Sequence, residues 1–229
     1  MLRRLIKASA VVVGVGLAVA ACSPVKMGAA AIVGNQRITI ATLDTEVTNL
    51  SQAAAQYPAA VSLTASQRTQ ATLTWLIRYQ IFEEMARQAG ITVSTAQGQK
   101  ALNQAVAAAE SAAEQQGLTN ATQTLILAAS GIPPNTSAEL GRYEAIASQY
   151  LTIANGGTAP AAGSAAQTAA GNKLNTAECQ AAKALNIAVN PQFGQLDYNG
   201  YQVVTAPLPV TRTQGPVKAA SPVATAPAC

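Results

Sequence analysis

The sequence predicts a mainly α fold: a helical bundle of about five to six helices with a small β element formed by the N-terminal and C-terminal segments. Three observations carry this expectation. Apolar residues recur at helical spacing in several separate stretches, the longest over residues 66–89. Those stretches are bounded by Ser/Thr openings and by Gly or Pro stops. Short β-branched pieces, Ala31-Ile32-Val33 and Ile187-Ala188-Val189, stand near the two ends.

In chain order, Gly34-Asn35-Gln36 reads as a turn between Ala31-Ile32-Val33 and Arg37-Ile38-Thr39, two short extended pieces. Thr39 then serves as N-cap of a first helix, with Asp44 and Glu46 early in it, where the helix dipole favours negative charge. Leu43, Val47, Leu50 and Ala54 give it an apolar face, and it ends before Tyr57-Pro58. The second helix, residues 66–89, closes on Gly90. It carries two apolar stripes, Leu73/Ile77/Ile81/Met85 and Trp75/Tyr79/Phe82/Ala86, so it is covered on most sides and sits centrally. Arg78, Glu83, Glu84 and Arg87 remain for a solvated face with short-range pairs.

Ser94-Thr95-Ala96-Gln97 has capping-box spacing and opens a third helix, with Leu102, Val106, Ala109 and Ala113 inward, ending at Gly117. Residues 119–130 form a short fourth helix stopped by Gly131. Thr136 with Glu139 reads as a second capping box, opening a fifth helix with Leu140, Tyr143, Ile146, Ala147, Tyr150 and Leu151 inward. Residues 153–174 have the composition of a flexible linker, and residues 175–185 a short sixth helix. From Tyr198 onward prolines recur and no apolar period survives, so residues 198–229 read as a Pro-rich tail.

The N-terminus carries an address. Arg3, Arg4 and Lys7 precede an uncharged run over residues 8–21. That run is shorter than the roughly 20 residues of a membrane span but suits a signal-peptide core. It ends in Val19-Ala20-Ala21-Cys22 followed by Ser23-Pro24. Small residues before a cysteine in this setting resemble the lipobox of bacterial lipoproteins, with the Cys22 thiol as the acceptor of a diacylglycerol. An ordinary signal peptide with an incidental cysteine, or an uncleaved anchor, are the alternatives. Residues 1–21 are then a signal peptide, residues 22–30 a lipidated tether, and the protein is held at the extracytoplasmic face of the bacterial cell membrane by its acyl chains.

Export bears on the other two cysteines. An oxidising compartment favours pairing Cys179 with Cys229, against the alternative of two free thiols. In the chain-entropy account a bridge over about fifty residues contributes about 4 kcal/mol.

Composition excludes much. There is no histidine among 229 residues, so histidine triads, histidine general bases and histidine-ligated zinc are ruled out. Three well-separated cysteines hold no metal or iron–sulfur cluster, and no phosphate-cradling loop is present; no cofactor is expected. Loss of residues 1–21 removes three of the 14 basic residues, leaving 11 against 10 acidic ones, so no basic patch argues for nucleic acid.

The order of elements resembles the N-terminal chaperone domain of the SurA-like proteins and the related foldase lipoprotein PrsA. The similarity rests on Ala31-Ile32-Val33-Gly34-Asn35-Gln36-Arg37-Ile38-Thr39 with Leu43-Asp44, on residues 73–93, on the helix order of residues 94–151, and on residues 185–194, which include Val189-Asn190-Pro191-Gln192-Phe193-Gly194. Two departures stand out. Val33-Gly34-Asn35 replaces the family's Val-Asn-Gly, and the slot that commonly holds a parvulin prolyl-isomerase domain holds only residues 152–174. Without that domain or any histidine, isomerase activity is rejected, and no residue is assigned a catalytic role.

The resemblance implies a helical chaperone domain over residues 31–152, closed by a helix and strand in residues 175–197 that pack back onto it. It implies an ATP-independent holdase or folding factor whose partners are unfolded or nascent exported proteins. Trp75, Tyr79, Phe82 and Met85 are the candidates for a client-binding surface, or alternatively bundle core. A structural or assembly lipoprotein gripping one dedicated partner with the same fold is the competing expectation. A broad apolar groove favours the first and a discrete pocket the second.

Overall fold

The computed structural model describes residues 28–115, 117 and 121–205. The expected signal peptide, Cys22, Cys229 and residues 206–229 of the tail lie outside the described residues. The chain runs β1 (Ala29–Val33), β2 (Gln36–Thr39), α1 (Ile40–Gln56), α2 (Ala65–Ala89), α3 (Thr95–Gln115), α4 (Gln123–Ala129), α5 (Ser137–Ala154), α6 (Ala165–Ala184), β3 (Ala188–Val189), β4 (Gln195–Asp197) and β5 (Gln202–Val204). The fold is mainly helical, with small antiparallel sheets at the two ends, as the sequence predicts.

β1 is the middle strand of a β2-β1-β3 sheet. It pairs Ile32 with Arg37 on one side and with Ala188 on the other, both antiparallel. Ala29 and Ala30 are fully buried in β1, so the tether is shorter than residues 22–30. Gly34 makes the turn with φ +59°, and a Cβ there would lie 2.8 Å from Leu185 Cδ2; glycine is needed on both counts. Asn190 secures the returning segment: its backbone N–H donates to Ala30 O at 2.9 Å and its Nδ2 to Ala29 O at 3.0 Å. The closing strand expected from Ile187-Ala188-Val189 is thus in place.

The helix starts follow local chemistry. Thr39 Oγ1 accepts the Thr42 N–H at 2.9 Å at the head of α1. A capping box joins Thr64 and Gln67 at the head of α2, and Gly90 ends that helix in the left-handed region at φ +66°. The Ser94–Gln97 box also forms.

The box expected from Thr136 and Glu139 does not. Residues Pro134–Thr136 make a 3-10 turn, and Thr136 Oγ1 donates back to Pro133 O at 2.8 Å instead of capping α5. The fourth helix is shorter than expected, beginning after the Thr122 cap.

The larger correction concerns residues 153–174. Only residues 155–164 connect α5 to α6; α6 begins at Ala165, behind a Ser164 cap whose Oγ accepts the Gln167 N–H at 3.1 Å. Alanine is the best helix former, and here it also lets α6 pack close, with Ala170, Ala181 and Ala182 buried. The Pro-rich tail likewise starts later than Tyr198. β4 and β5 pair as a hairpin, Leu196 opposite Val203, and both side chains enter the core.

α2 is central, as its two stripes predict. Leu73, Ile77, Ile81, Phe82 and Met85 meet Ala31 and Val33 of β1, Ile146 of α5, and Ala181 and Ala182 of α6. α3 lies against α5 through two glycines: a Cβ on Gly141 would stand 2.5 Å from Gly98 O, so the backbones themselves are in contact.

Candidate functional site

A cleft of about 480 Å³ opens between the N-terminal half of α2, the Ser130-Gly131-Ile132 turn, α5 and β5. Each wall has a local cause. Helical spacing puts Gln67, Gln70, Ala71, Thr74 and Arg78 along one side of α2. Gly131, at φ +72°, brings the turn so close to α2 that a Cβ there would lie 2.8 Å from the Ala71 Cβ. Tyr143 and Glu144 come from α5, and Gln202 and Val203 from the hairpin.

Aromatic rings form the back of this cleft. Trp75 meets Tyr143 edge-on with centroids 5.6 Å apart, and Phe82 packs behind Tyr143 at 4.0 Å. Arg78 crosses the cleft wall: one guanidinium nitrogen donates to Tyr143 Oη at 2.9 Å and stands 3.9 Å from Glu178 Oε1 on α6, and the guanidinium carbon lies 5.8 Å from the Tyr143 ring centroid. Arg78 Nε and Glu178 Oε1 are buried without a hydrogen bond. Burial pushes the Tyr143 phenol up to about 12. Burial also raises Glu178 and Glu144 above the ordinary carboxyl range, with Arg78 opposing the rise in both.

These raised carboxyls set a sign for the pH dependence. The folded protein holds its protons more tightly than the unfolded chain does. Stability is therefore greatest below the ordinary carboxyl pKa and falls as pH rises through the raised folded values, by at most about 1.4 kcal/mol per pH unit for each carboxyl. Glu178→Gln is expected to flatten part of this slope. Urea unfolding of both proteins from pH 4 to pH 8 checks it, and an unchanged slope in the variant sinks the assignment to Glu178.

The four residues singled out in the sequence do not form one surface. Trp75 lines the cleft described above. Tyr79 lines a separate cavity of about 250 Å³ beside Ser94, Gly98 and Arg142; burial and the neighbouring Glu83 push its phenol up to about 12. Phe82 and Met85 are core, 2% and 1% exposed, so a client surface made by those two is overturned.

The charges of α2 also part company with a solvated face. Glu84 and Arg87 do form an exposed short-range pair at 2.6 Å, and Glu84 is lowered chiefly by the Arg87 hydrogen bond. Glu83, however, is gripped by Arg142 of α5, which also donates to Val93 O at 2.9 Å, and Arg78 turns toward Tyr143 and Glu178. Cys179 lies on α6 and is half-buried; Cys229 is outside the described residues.

Among the described residues no group of acidic residues or cysteines is placed to hold a metal ion, and no helix is long and apolar enough to cross a membrane. No family model matches the chain, and no curated protein or solved structure matches it either.

Proposed function

We propose that the protein is a lipid-anchored, extracytoplasmic polypeptide-binding lipoprotein that holds an extended segment of a partner in the Trp75–Tyr143 cleft, without ATP and without catalysis. The cleft carries the reading. Its rings offer apolar faces for side chains, while the Gln67, Gln70 and Gln202 amides can meet a partner's main-chain N–H and C=O groups. A paired Cys179–Cys229 belongs to the same reading, as an extracytoplasmic staple on the closing segment.

Of two forms of this function, a dedicated partner is favoured. Among the described residues Ile153, 55% exposed, is the one large hydrophobic side chain on the surface, whereas a general holdase works through a wide apolar patch. The holdase for unfolded exported proteins is the second reading, supported by the sequence resemblance to SurA-like chaperone domains.

The test uses fluorescein-labelled, reduced and carboxymethylated α-lactalbumin as a permanently unfolded probe, followed by anisotropy. Saturable binding in about the micromolar range is expected, weakened at least tenfold by Gln70→Tyr, which fills the cleft. No binding, or binding indifferent to that variant, overturns the cleft reading. Suppression of aggregation across several unrelated unfolded proteins decides for the holdase; binding confined to some sequences decides for the dedicated partner.

A further inference from the structure

We propose that the chain's own segment Ala206-Pro207-Leu208-Pro209-Val210 occupies the Trp75–Tyr143 cleft as a built-in competitor of the partner. The proposal rests on the reading of that cleft as a polypeptide site.

The described chain ends at the mouth of the cleft, and it ends pointing along it. Gln202 and Val203 of β5 line the cleft. The Val203 N–H donates to Thr74 Oγ1 at 2.8 Å, and two residues later Thr205 Oγ1 accepts from Gln70 Nε2 at 3.0 Å. Thr74 and Gln70 are one turn apart on α2. Two extended residues advance about 7 Å and four helical residues about 6 Å, so the strand follows α2 backwards in near register. One further step of the same kind brings residue 207 level with Gln67, which lines the same cleft.

The sequence of the segment suits that path. Pro207 and Pro209 fix φ near −65° and carry no N–H, and the residue before each is driven to extended backbone. The segment therefore favours a polyproline II form with its carbonyls free, which aromatic-lined grooves accept at little entropic cost. Leu208 is its one large side chain and faces a cleft that offers Ile132 and Leu140. Residues 205–211 carry no charge, so nothing in them opposes Arg78 or Glu144.

Attachment makes even weak docking effective. A segment that begins one residue beyond an anchored threonine acts at an effective concentration of about a millimolar or more. An intrinsic dissociation constant near 0.1 mM then leaves the cleft about nine-tenths occupied and weakens any competing peptide about tenfold.

The experiment compares the full chain lacking residues 1–21 with its Leu208→Asp variant. A fluorescent peptide spanning residues 205–210 is titrated into each by anisotropy, and Trp75, the one tryptophan of the chain, is quenched by acrylamide. The variant is expected to bind the peptide about tenfold more tightly than the parent and to quench more readily, with circular dichroism unchanged. Equal peptide affinity and equal quenching overturn the proposal. Quenching of the parent that falls as protein concentration rises also overturns it, since the tail of a second copy is then the occupant.

The carboxymethylated lactalbumin probe separates this proposal from the reading beneath it. If that probe binds both proteins alike while the tail peptide does not discriminate between them, the tail proposal fails and the polypeptide site stands. If Leu208→Asp unmasks Trp75 and the tail peptide binds, yet lactalbumin binds neither protein, the tail docks in a cleft that is not a partner site.

Discussion

Phe82→Ala is expected to cost the fold about 3–5 kcal/mol, the range for deleting a fully buried aromatic ring. Phe82 is 2% exposed, and its ring packs 4.0 Å from that of Tyr143, which in turn forms the back of the cleft with Trp75. The loss therefore reaches the site as well as the core: Tyr143 is left with a void behind it, and the Arg78 hydrogen bond to its hydroxyl loses its rigid acceptor. Urea unfolding gives the stability change. A cost under about 1 kcal/mol shows that Phe82 is not held as described. Tyr79→Ala is the matched control, since Tyr79 is only half-buried and lines the other cavity.

Gly141→Ala is the second large effect, and it arises from an added atom. The new methyl carbon would sit 2.5 Å from Gly98 O and 3.0 Å from the Leu102 Cβ, so α3 and α5 must move apart along their whole contact. Overpacking of this kind costs about 1–3 kcal/mol, and between two backbones there is no flexible side chain to give way. A melting temperature lower by several degrees, about 2–4 °C for each kcal/mol in a chain of this size, is the expected result in a thermal scan. Gly98→Ala should be milder, because its Cβ would meet Arg142 N at 3.4 Å. If the two variants melt alike, the glycine contact is not what sets the helix spacing.

Much of the fold was legible because its signals are local. Thr39 before an apolar period, Gly90 after one, and the Ser94–Gln97 box each specify backbone hydrogen bonds within four residues of themselves, and all three form. Three features escaped for different physical reasons. Residues 165–174 look like a linker when alanine is read as small and flexible, yet Ser164 and Gln167 carry the same cap spacing that marks α3. The Thr136 box lost to Pro133 and Pro134, whose fixed φ turns the chain before Thr136 can reach forward. The β4–β5 hairpin was available in Asn199-Gly200 between Leu196 and Val203, a turn dipeptide between alternating apolar residues that the prolines beyond it obscured.

The site was harder to read, since it is built from separations no local pattern records. Trp75 was named for its ring and does reach the cleft. Arg78 and Glu178 look like ordinary surface charges in the sequence. Only the docking of α6 beside α2 buries Glu178 and draws Arg78 across Tyr143. Gln67, Gln70 and Gln202 carry no signal at all in isolation; they matter because β5 is laid against α2 by the Val203–Thr74 hydrogen bond.

The strand order sets the timing of folding. β1 belongs to the first few residues described, but its second neighbour, β3, follows only after six helices, with Ala31 opposite Val189. A chain emerging from its N-terminus has β2 and the helices long before it has Ala188, Val189 and Asn190. Until those arrive, one edge of β1 stays open and the Ala29 and Ala30 carbonyls lack the Asn190 donors. Such distant pairing closes late because the loop entropy must be met before the contact rewards it. The final step of folding is therefore held back until nearly the whole described chain has been delivered, and the hairpin that shapes the cleft comes later still.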